Sequence, residues 1–216
     1  VAMVSLGCPK NQVDAEKMLA CLKNGGLEIT PAEADADAII VNTCGFIESA
    51  KAEAIENILE AARYKENGSC KALVVTGCLA ERYRDDITEE IPEVDVCVGI
   101  GSNSKIAEIV KKAIEGEKQN YYGEKTDLDL NGERILGGMP YTAYLKVGDG
   151  CDNCCSYCAI PKIRGRMRSR TIEDCVAEAK VLAKGGVTEL IVVAQDTTAY
   201  GTDLYGEPKL HELLTE

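Results

Sequence analysis

Histidine is almost missing from this sequence: His211 is the only one in 216 residues. It falls at a polar helix start, where a solvated surface role is expected, so triads built around a histidine base are excluded. Positive charge is also short. Lys and Arg number 24 against 36 Asp and Glu, for a formal net charge of −12. These residues form no basic groove of the kind that tracks a phosphate backbone, and no direct nucleic-acid binding is expected of them. Apolar runs long enough to span a bilayer are missing, and no signal-peptide pattern opens the sequence, so a cytoplasmic protein without membrane association is expected. Gly99-Ile-Gly101-Ser-Asn-Ser104 lacks the third glycine of a dinucleotide fingerprint and reads as the entry to a helix. No internal repeat or low-complexity tract stands out. Hydrophobic residues, at 45 %, are enough to bury a core.

Cysteine, by contrast, is abundant, with eleven residues. In a small secreted protein that would suggest disulfides, but this sequence is long and unsignalled, and an odd number fits a fully paired framework poorly. In a reducing compartment, clustered cysteines more often bind metal or take part in catalysis.

Residues 1–118 alternate strands and helices. Val1–Leu6, Leu27–Thr30, Ala38–Thr43, Ala72–Thr76 and Val94–Val98 read as strands, the second of them weak. Val13–Asn24, stopped by Gly25-Gly26, has helical spacing, as do Glu48–Tyr64 and Ser104–Glu115. Five strands with intervening helices predict a doubly wound, flavodoxin-like parallel sheet. Residues 119–139 are rich in Gly, Lys, Asp, Glu and Tyr and read as a linker. A second α/β series fills 140–216: strand Tyr141–Val147, helix Thr171–Lys184 with Thr171 and Asp174 in capping-box spacing, strand Glu189–Ala194, and a helix start at Lys209–Glu216. Two βα units are the beginning of a (β/α) barrel, which needs several more to close, so this domain is expected to be incomplete.

The sharpest chemical signal is Cys151-Asp-Asn-Cys154-Cys155-Ser-Tyr-Cys158, placed where strand Tyr141–Val147 ends. Cys151, Cys155 and Cys158 form C-x-x-x-C-x-x-C. Three thiolates can hold three irons of a cubane cluster and leave the fourth open to a substrate. The alternative is a structural zinc site using all four cysteines. Zinc knuckles usually pair two C-x-x-C units across a dozen or more residues, however, and four cysteines this close crowd a tetrahedral cage. The cluster reading leaves Cys154 as a non-ligand. Cys8, Cys44 and Cys78 each stand just beyond the carboxyl end of an expected parallel strand, where open α/β sheets place their ligands. Their convergence would make a second metal site. Cysteine is also a common small buried residue, which explains Cys21, Cys70, Cys97 and Cys175 better than it explains three repeats of one placement.

Cys151-x-x-x-Cys155-x-Tyr157-Cys158-x-Ile160-Pro161-x-x-Arg164-Gly165, followed by Ser169-Arg170, resembles the radical SAM signature of the methylthiotransferase family. Ser5-Leu6-Gly7-Cys8-Pro9-Lys10-Asn11, Asn42-Thr43-Cys44-Gly45-Phe46-Ile47 and Thr76-Gly77-Cys78-Leu79-Ala80 resemble that family's N-terminal domain. The resemblance implies two [4Fe–4S] clusters. Cys151, Cys155 and Cys158 would hold the one whose open iron chelates S-adenosylmethionine (SAM) and passes it an electron, releasing a 5′-deoxyadenosyl radical. Cys8, Cys44 and Cys78 would hold the sulfur-carrying one. Gln195 and Asp196 end the second strand of the barrel, at the rim where such folds place functional groups, and are read as SAM contacts rather than as a plain loop start. Tyr157 is read as a further SAM contact, and by resemblance Arg164, Arg166, Arg168 and Arg170 help to shape the cofactor pocket. The residues beside Cys8 and Cys44, with Gln195-Asp196-Thr197-Thr198 before Tyr200-Gly201, are similar to the branch that modifies the β-carbon of an aspartate in the twelfth small-subunit ribosomal protein. The sister branch acts on an adenosine of tRNA. An electron donor such as a flavodoxin or ferredoxin is implied, and the sulfur source is left open. The rest of the barrel and the family's C-terminal module are not in this sequence, so the 216 residues alone are expected to lack turnover. A non-catalytic iron–sulfur carrier or a zinc-binding module is the reading from another class.

Overall fold

The computed structural model describes residues 1–216, apart from the side chain of Asn67. The chain divides into two compact units, Val1–Asp129 and Leu130–Glu216. Among the described residues no helix is long and apolar enough to cross a membrane.

The N-terminal unit is built on four parallel strands, β1 (Ala2–Ser5), β2 (Ala38–Thr43), β3 (Ala72–Gly77) and β4 (Val96–Val98), lying side by side in that order. Its helices are α1 (Pro9–Asn24), α2 (Glu48–Asn67), α3 (Cys78–Tyr83), α4 (Asp85–Glu90) and α5 (Ile106–Ile114). Every residue of β2 and β3 is buried. Parallel strands covered on both faces read as continuous apolar runs, as Ala38–Val41 and Ala72–Val75 do before each strand ends in polar residues. Ile39, Val41, Leu73 and Val75 pack with Ala54, Ile58 and Ala61 of α2. The alternate positions, Ala38, Ile40, Ala72 and Val74, pack with Met18 and Leu22 of α1 and Ile106, Ile109 and Val110 of α5. Period-two alternation thus feeds two cores, one on each face, and the sheet is doubly wound.

The expected strand Leu27–Thr30 is corrected: it forms no strand. Two bonds tie it to the outer edge of the sheet, Thr30 N–H to the Val1 carbonyl at 3.0 Å and the Val1 amino group to the Glu28 carbonyl at 2.7 Å. Pro31 follows and has no N–H with which to extend the ladder. Counted as an edge segment beside β1, it completes the flavodoxin-like order 2-1-3-4-5. Gly99–Ser104 leads through a 3₁₀ turn (Ile100–Lys105) into α5. Of the stretch 119–139, Tyr121 adds to the other edge: its N–H donates to the Cys97 carbonyl at 3.0 Å, and its carbonyl accepts from Gly99 N–H at 2.9 Å. Asn131 belongs with the C-terminal unit, donating to the Asp174 carboxylate at 3.0 Å.

In the C-terminal unit, β5 (Thr142–Lys146), β6 (Gly148–Asp149), α6 (Ile160–Arg164), β7 (Arg168–Ser169), α7 (Ile172–Lys184), β8 (Glu189–Val193), α8 (Thr202–Tyr205) and α9 (Leu210–Thr215) follow in order. β5 and β8 pair in parallel, joined through α7, while β6 and β7 form a short antiparallel ribbon. Thr171 caps α7 by accepting the Asp174 N–H at 3.1 Å, which satisfies one of the helix's unpaired donors. Leu145, Val147, Met167, Cys175, Tyr200 and Leu213 make the main core. This is the partial barrel the pattern of elements predicts.

Candidate metal centres

Cys8 precedes α1, Cys44 follows β2, and Cys78 opens α3 directly after β3. Because β1, β2 and β3 are parallel neighbours, all three cysteines fall at one end of the sheet, the carboxyl end. Three glycines show how tightly their turns are packed. A Cβ on Gly7 would stand 2.6 Å from Cys44 Cβ and 3.1 Å from its Sγ; one on Gly45 would stand 2.8 Å from Leu79 Cα. One on Gly77 would stand 2.4 Å from the Thr43 carbonyl oxygen. Each glycine adjoins one cysteine and presses on the chain beside another. Gly7 and Gly77 also hold φ of +92° and +94°, a region that disfavours side chains. Arg82 Nη1 adds a bond at 2.8 Å from α3 to the Gly45 carbonyl.

Cys44 and Cys78 are buried, Cys8 is half-buried, and none is in a disulfide. Among the described residues, no three His, Cys, Asp or Glu side chains stand close enough to share a single ion. The thiolates of a cubane each take a different iron and stand wider apart than the ligands of one ion, so three soft sulfur donors on three packed turns fit a cluster.

The second cysteine set lies on one loop after β6. Cys151 N–H donates to the Gly165 carbonyl at 3.2 Å, and Cys158 N–H to the Cys155 carbonyl at 3.0 Å. Cys151 and Cys158 are half-buried; Cys154 and Cys155 are exposed, and Cys154 holds φ of 48°. Gly150, at φ +79°, lies where a Cβ would come within 2.0 Å of the Arg166 carbonyl oxygen. At the root of the loop is a buried charge cluster that the sequence reading missed. Asp149 accepts from Lys146 Nζ at 2.7 Å, Arg164 Nη1 at 2.9 Å, Gly150 N–H at 2.8 Å and Gln195 Nε2 at 2.5 Å. Burial pushes its carboxyl up. The Arg164 and Lys146 cations, with these hydrogen bonds, outweigh that and hold it well below the usual carboxylate range. The signal that could have revealed it is a lysine and an aspartate closing an otherwise apolar barrel strand, at the rim where such folds place functional groups.

Of the expected SAM contacts, two adjoin this loop. Gln195 reaches Asp149, and its Oε1 is buried without a hydrogen-bond partner among the described residues. Asp196 accepts from Thr198 Oγ1 at 2.6 Å and from Asn153 Nδ2, inside the cysteine loop, at 2.8 Å; these bonds hold its carboxyl below the usual range. Tyr157 is 88 % exposed. The arginine run divides. Arg164 and Arg170 are buried in ion pairs with Asp149 and Glu178, whereas Arg166 is exposed and Arg168 half-buried. Cys70, Cys97 and Cys175 are core residues whose thiols burial pushes up, that of Cys97 to about 12, so they are neutral and poor ligands. Cys21 donates to the Ser104 carbonyl at 3.3 Å. His211 is a surface residue of α9.

Comparison with known proteins fits this arrangement. Residues 1–99 match the uncharacterized protein family UPF0004, and residues 145–214 match the Radical SAM superfamily. The C-terminal unit is therefore of the radical SAM class. Over 99 % of its length the chain is 56 % identical to the ribosomal protein uS12 methylthiotransferase RimO of Desulforamulus reducens, covering 49 % of that protein. Proteins of the same name from Pelotomaculum thermopropionicum and Clostridium tetani are 54 % and 52 % identical over 99 % of the chain, which covers 48 % of each. The chain is similar to the methylthiotransferases of the radical SAM class, and it spans about half the length of the curated relatives it matches.

Proposed function

We propose that this chain supplies the two metal-bearing units of a radical SAM methylthiotransferase that adds a methylthio group to the β-carbon of an aspartate in ribosomal protein uS12. The observation that supports this best is the presence, in one chain, of two separate cysteine triads at strand ends, each with the chemistry of a three-thiolate cluster site. In this reading Cys151, Cys155 and Cys158 hold one [4Fe–4S] cluster, and Cys8, Cys44 and Cys78 hold the other. When bound, the first supplies an electron that cleaves SAM to an adenosyl radical, and the second carries the sulfur to be methylated and transferred.

The protein's own groups bind and orient. Asp149 keeps its charge because Lys146 and Arg164 are buried against it, and through the Gly150 N–H it pins the turn from which Cys151 projects. Gln195, oriented by Asp149, presents a buried acceptor with no partner among the described residues, fit for a donor group of SAM. Asp196 steadies the cysteine loop through Asn153, and Tyr157 offers an exposed ring to the cofactor. The electron donor is of the flavodoxin or ferredoxin type. The substrate, a ribosomal protein, places the reaction in the cytoplasm.

The test is a full-length protein, anaerobically loaded and given SAM and a reductant, with uS12 or a peptide carrying its target loop. A methylthio mass increase on the aspartate is expected. Modification of tRNA but not of the peptide would point to the sister activity. Clusters without SAM cleavage would point to an electron carrier, and zinc without sulfide to a binding module.

A further inference from the structure

Beneath the three cysteine turns of the N-terminal unit lies a layer of buried amides and hydroxyls. Asn42 of β2, fully buried, sits in register between Ser5 of β1 and Thr76 of β3. Its Nδ2 donates to the Asn11 carbonyl at 2.9 Å and to Ser5 Oγ at 3.3 Å. Asn11, in the first turn of α1 after Cys8, answers in the opposite direction: its Nδ2 donates to the Leu6 carbonyl at 2.8 Å and to the Thr43 carbonyl at 3.2 Å. These two amides staple the turn that carries Cys8 to the strand end that carries Cys44. On its other side, Asn42 Oδ1 lies so close to Gly77 that a Cβ there would stand 2.6 Å away, and Gly77 immediately precedes Cys78. Thr43 Oγ1 closes the layer by donating to the Thr76 carbonyl at 2.5 Å. Asn42 thus bonds to the helix turn after Cys8, lies two residues before Cys44 and stands beside the glycine before Cys78.

The oxygen of Asn42 is buried with no hydrogen-bond partner among the described residues. An orphaned acceptor is unfavourable, and an apolar side chain of similar size would fill the space without one. What an amide provides here is a donor to the Asn11 carbonyl and Ser5 hydroxyl from a side chain packed beside Gly77.

We propose that Asn42, with Asn11 as its return partner, is the positioning residue of the N-terminal three-cysteine site: it sets the spacing of the turns bearing Cys8, Cys44 and Cys78, and hence how firmly the site holds iron. This rests on the reading that those thiolates bind a cluster. Groups that orient ligands without touching the metal change its affinity by roughly 10–100-fold when removed.

The test uses the 216-residue chain with Cys151, Cys155 and Cys158 replaced by Ala, so that iron loads only on the N-terminal site. After anaerobic loading with iron and sulfide, release to a chelator is followed by loss of visible absorption. Melting temperatures are measured loaded and metal-free. Asn42→Ala and Asn42→Asp, the latter keeping the size but losing the donor to Asn11, should both release iron roughly tenfold faster or more. The gain in melting temperature on loading should shrink in both. A purely structural role would lower both melting temperatures equally and leave release at the parent rate, and that result overturns the proposal. Should Asn42→Ala not fold, Asn42→Asp decides; if neither folds metal-free, Asn42 is a folding residue and the proposal falls. A parent that takes up no iron, or keeps it after Cys44→Ala, would overturn the cluster assignment itself and the proposal with it.

Discussion

Cys8, Cys44 and Cys78 stand at the ends of three different strands and meet only when the N-terminal sheet is paired, whereas Cys151, Cys155 and Cys158 share a single loop. The first set is enclosed: two of its thiols are buried, and three glycines bring its turns within contact distance. The second is open, with Cys155 exposed and only its root buried, on the Asp149 charge cluster. The contrast teaches where each site's geometry is stored. In one it resides in tertiary packing of backbone on backbone; in the other, in local sequence anchored by one network of charges.

Three experiments would break or sharpen that contrast. The largest effect is expected from the ligands. In a full-length protein, replacing any one of Cys151, Cys155 and Cys158 with Ala should abolish reductive SAM cleavage, measured as 5′-deoxyadenosine. Replacing Cys8, Cys44 and Cys78 together should remove about half the iron and spare cleavage, since in the proposed arrangement each cluster has its own three thiolates. Loss of cleavage in that triple variant would show that the sites are not independent.

A smaller effect is expected at the root of the loop. Asp149→Asn leaves Lys146 and Arg164 buried against a neutral partner, and breaking such a cluster costs about 3–5 kcal/mol. Amide hydrogen exchange should report lost protection in β5 and β8 and unchanged protection in β2 and β3. Acid should act in the same place. Asp149 titrates lower folded than unfolded, so its contribution is complete above its unfolded value of about 3.9 and is lost as pH falls below that toward the folded value. Equal acid sensitivity in Asp149→Asn and the parent would remove this group from the account. The smallest effect belongs to Cys154. It is exposed and held at φ 48°, so Cys154→Gly should leave iron content unchanged and raise stability by roughly 1 kcal/mol. Loss of iron would make it a ligand.

Much of this could be read from the residues themselves. The runs Ala38–Val41 and Ala72–Val75 are apolar because both faces of the sheet are covered, and a cysteine follows each strand. Thr171 announces α7 by local chemistry alone. What escaped is what depends on distant partners. α3 and α4 are single short turns of helix with no apolar period to betray them. Arg164 and Gln195 stand out in the sequence as cofactor-pocket residues, but nothing there ties them to Lys146 and Asp149 until the fold of the C-terminal unit gathers the four. Leu27–Thr30 has the composition of a strand, but Gly25-Gly26 before it and Pro31 after it leave room for only two edge bonds.

The spacing of the N-terminal cysteines along the chain also sets an order in time. During synthesis from the amino end, Cys8 and then Cys44 emerge with nothing to close around, because β3 and the turn at Gly77 are still to come. Non-local pairing of this kind is slow, and until it is complete those thiols remain open to oxidants. The three cysteines of the loop emerge nearly together. The cysteines made first thus come together only through a slow closure, while those made later are neighbours in the chain from the moment they appear.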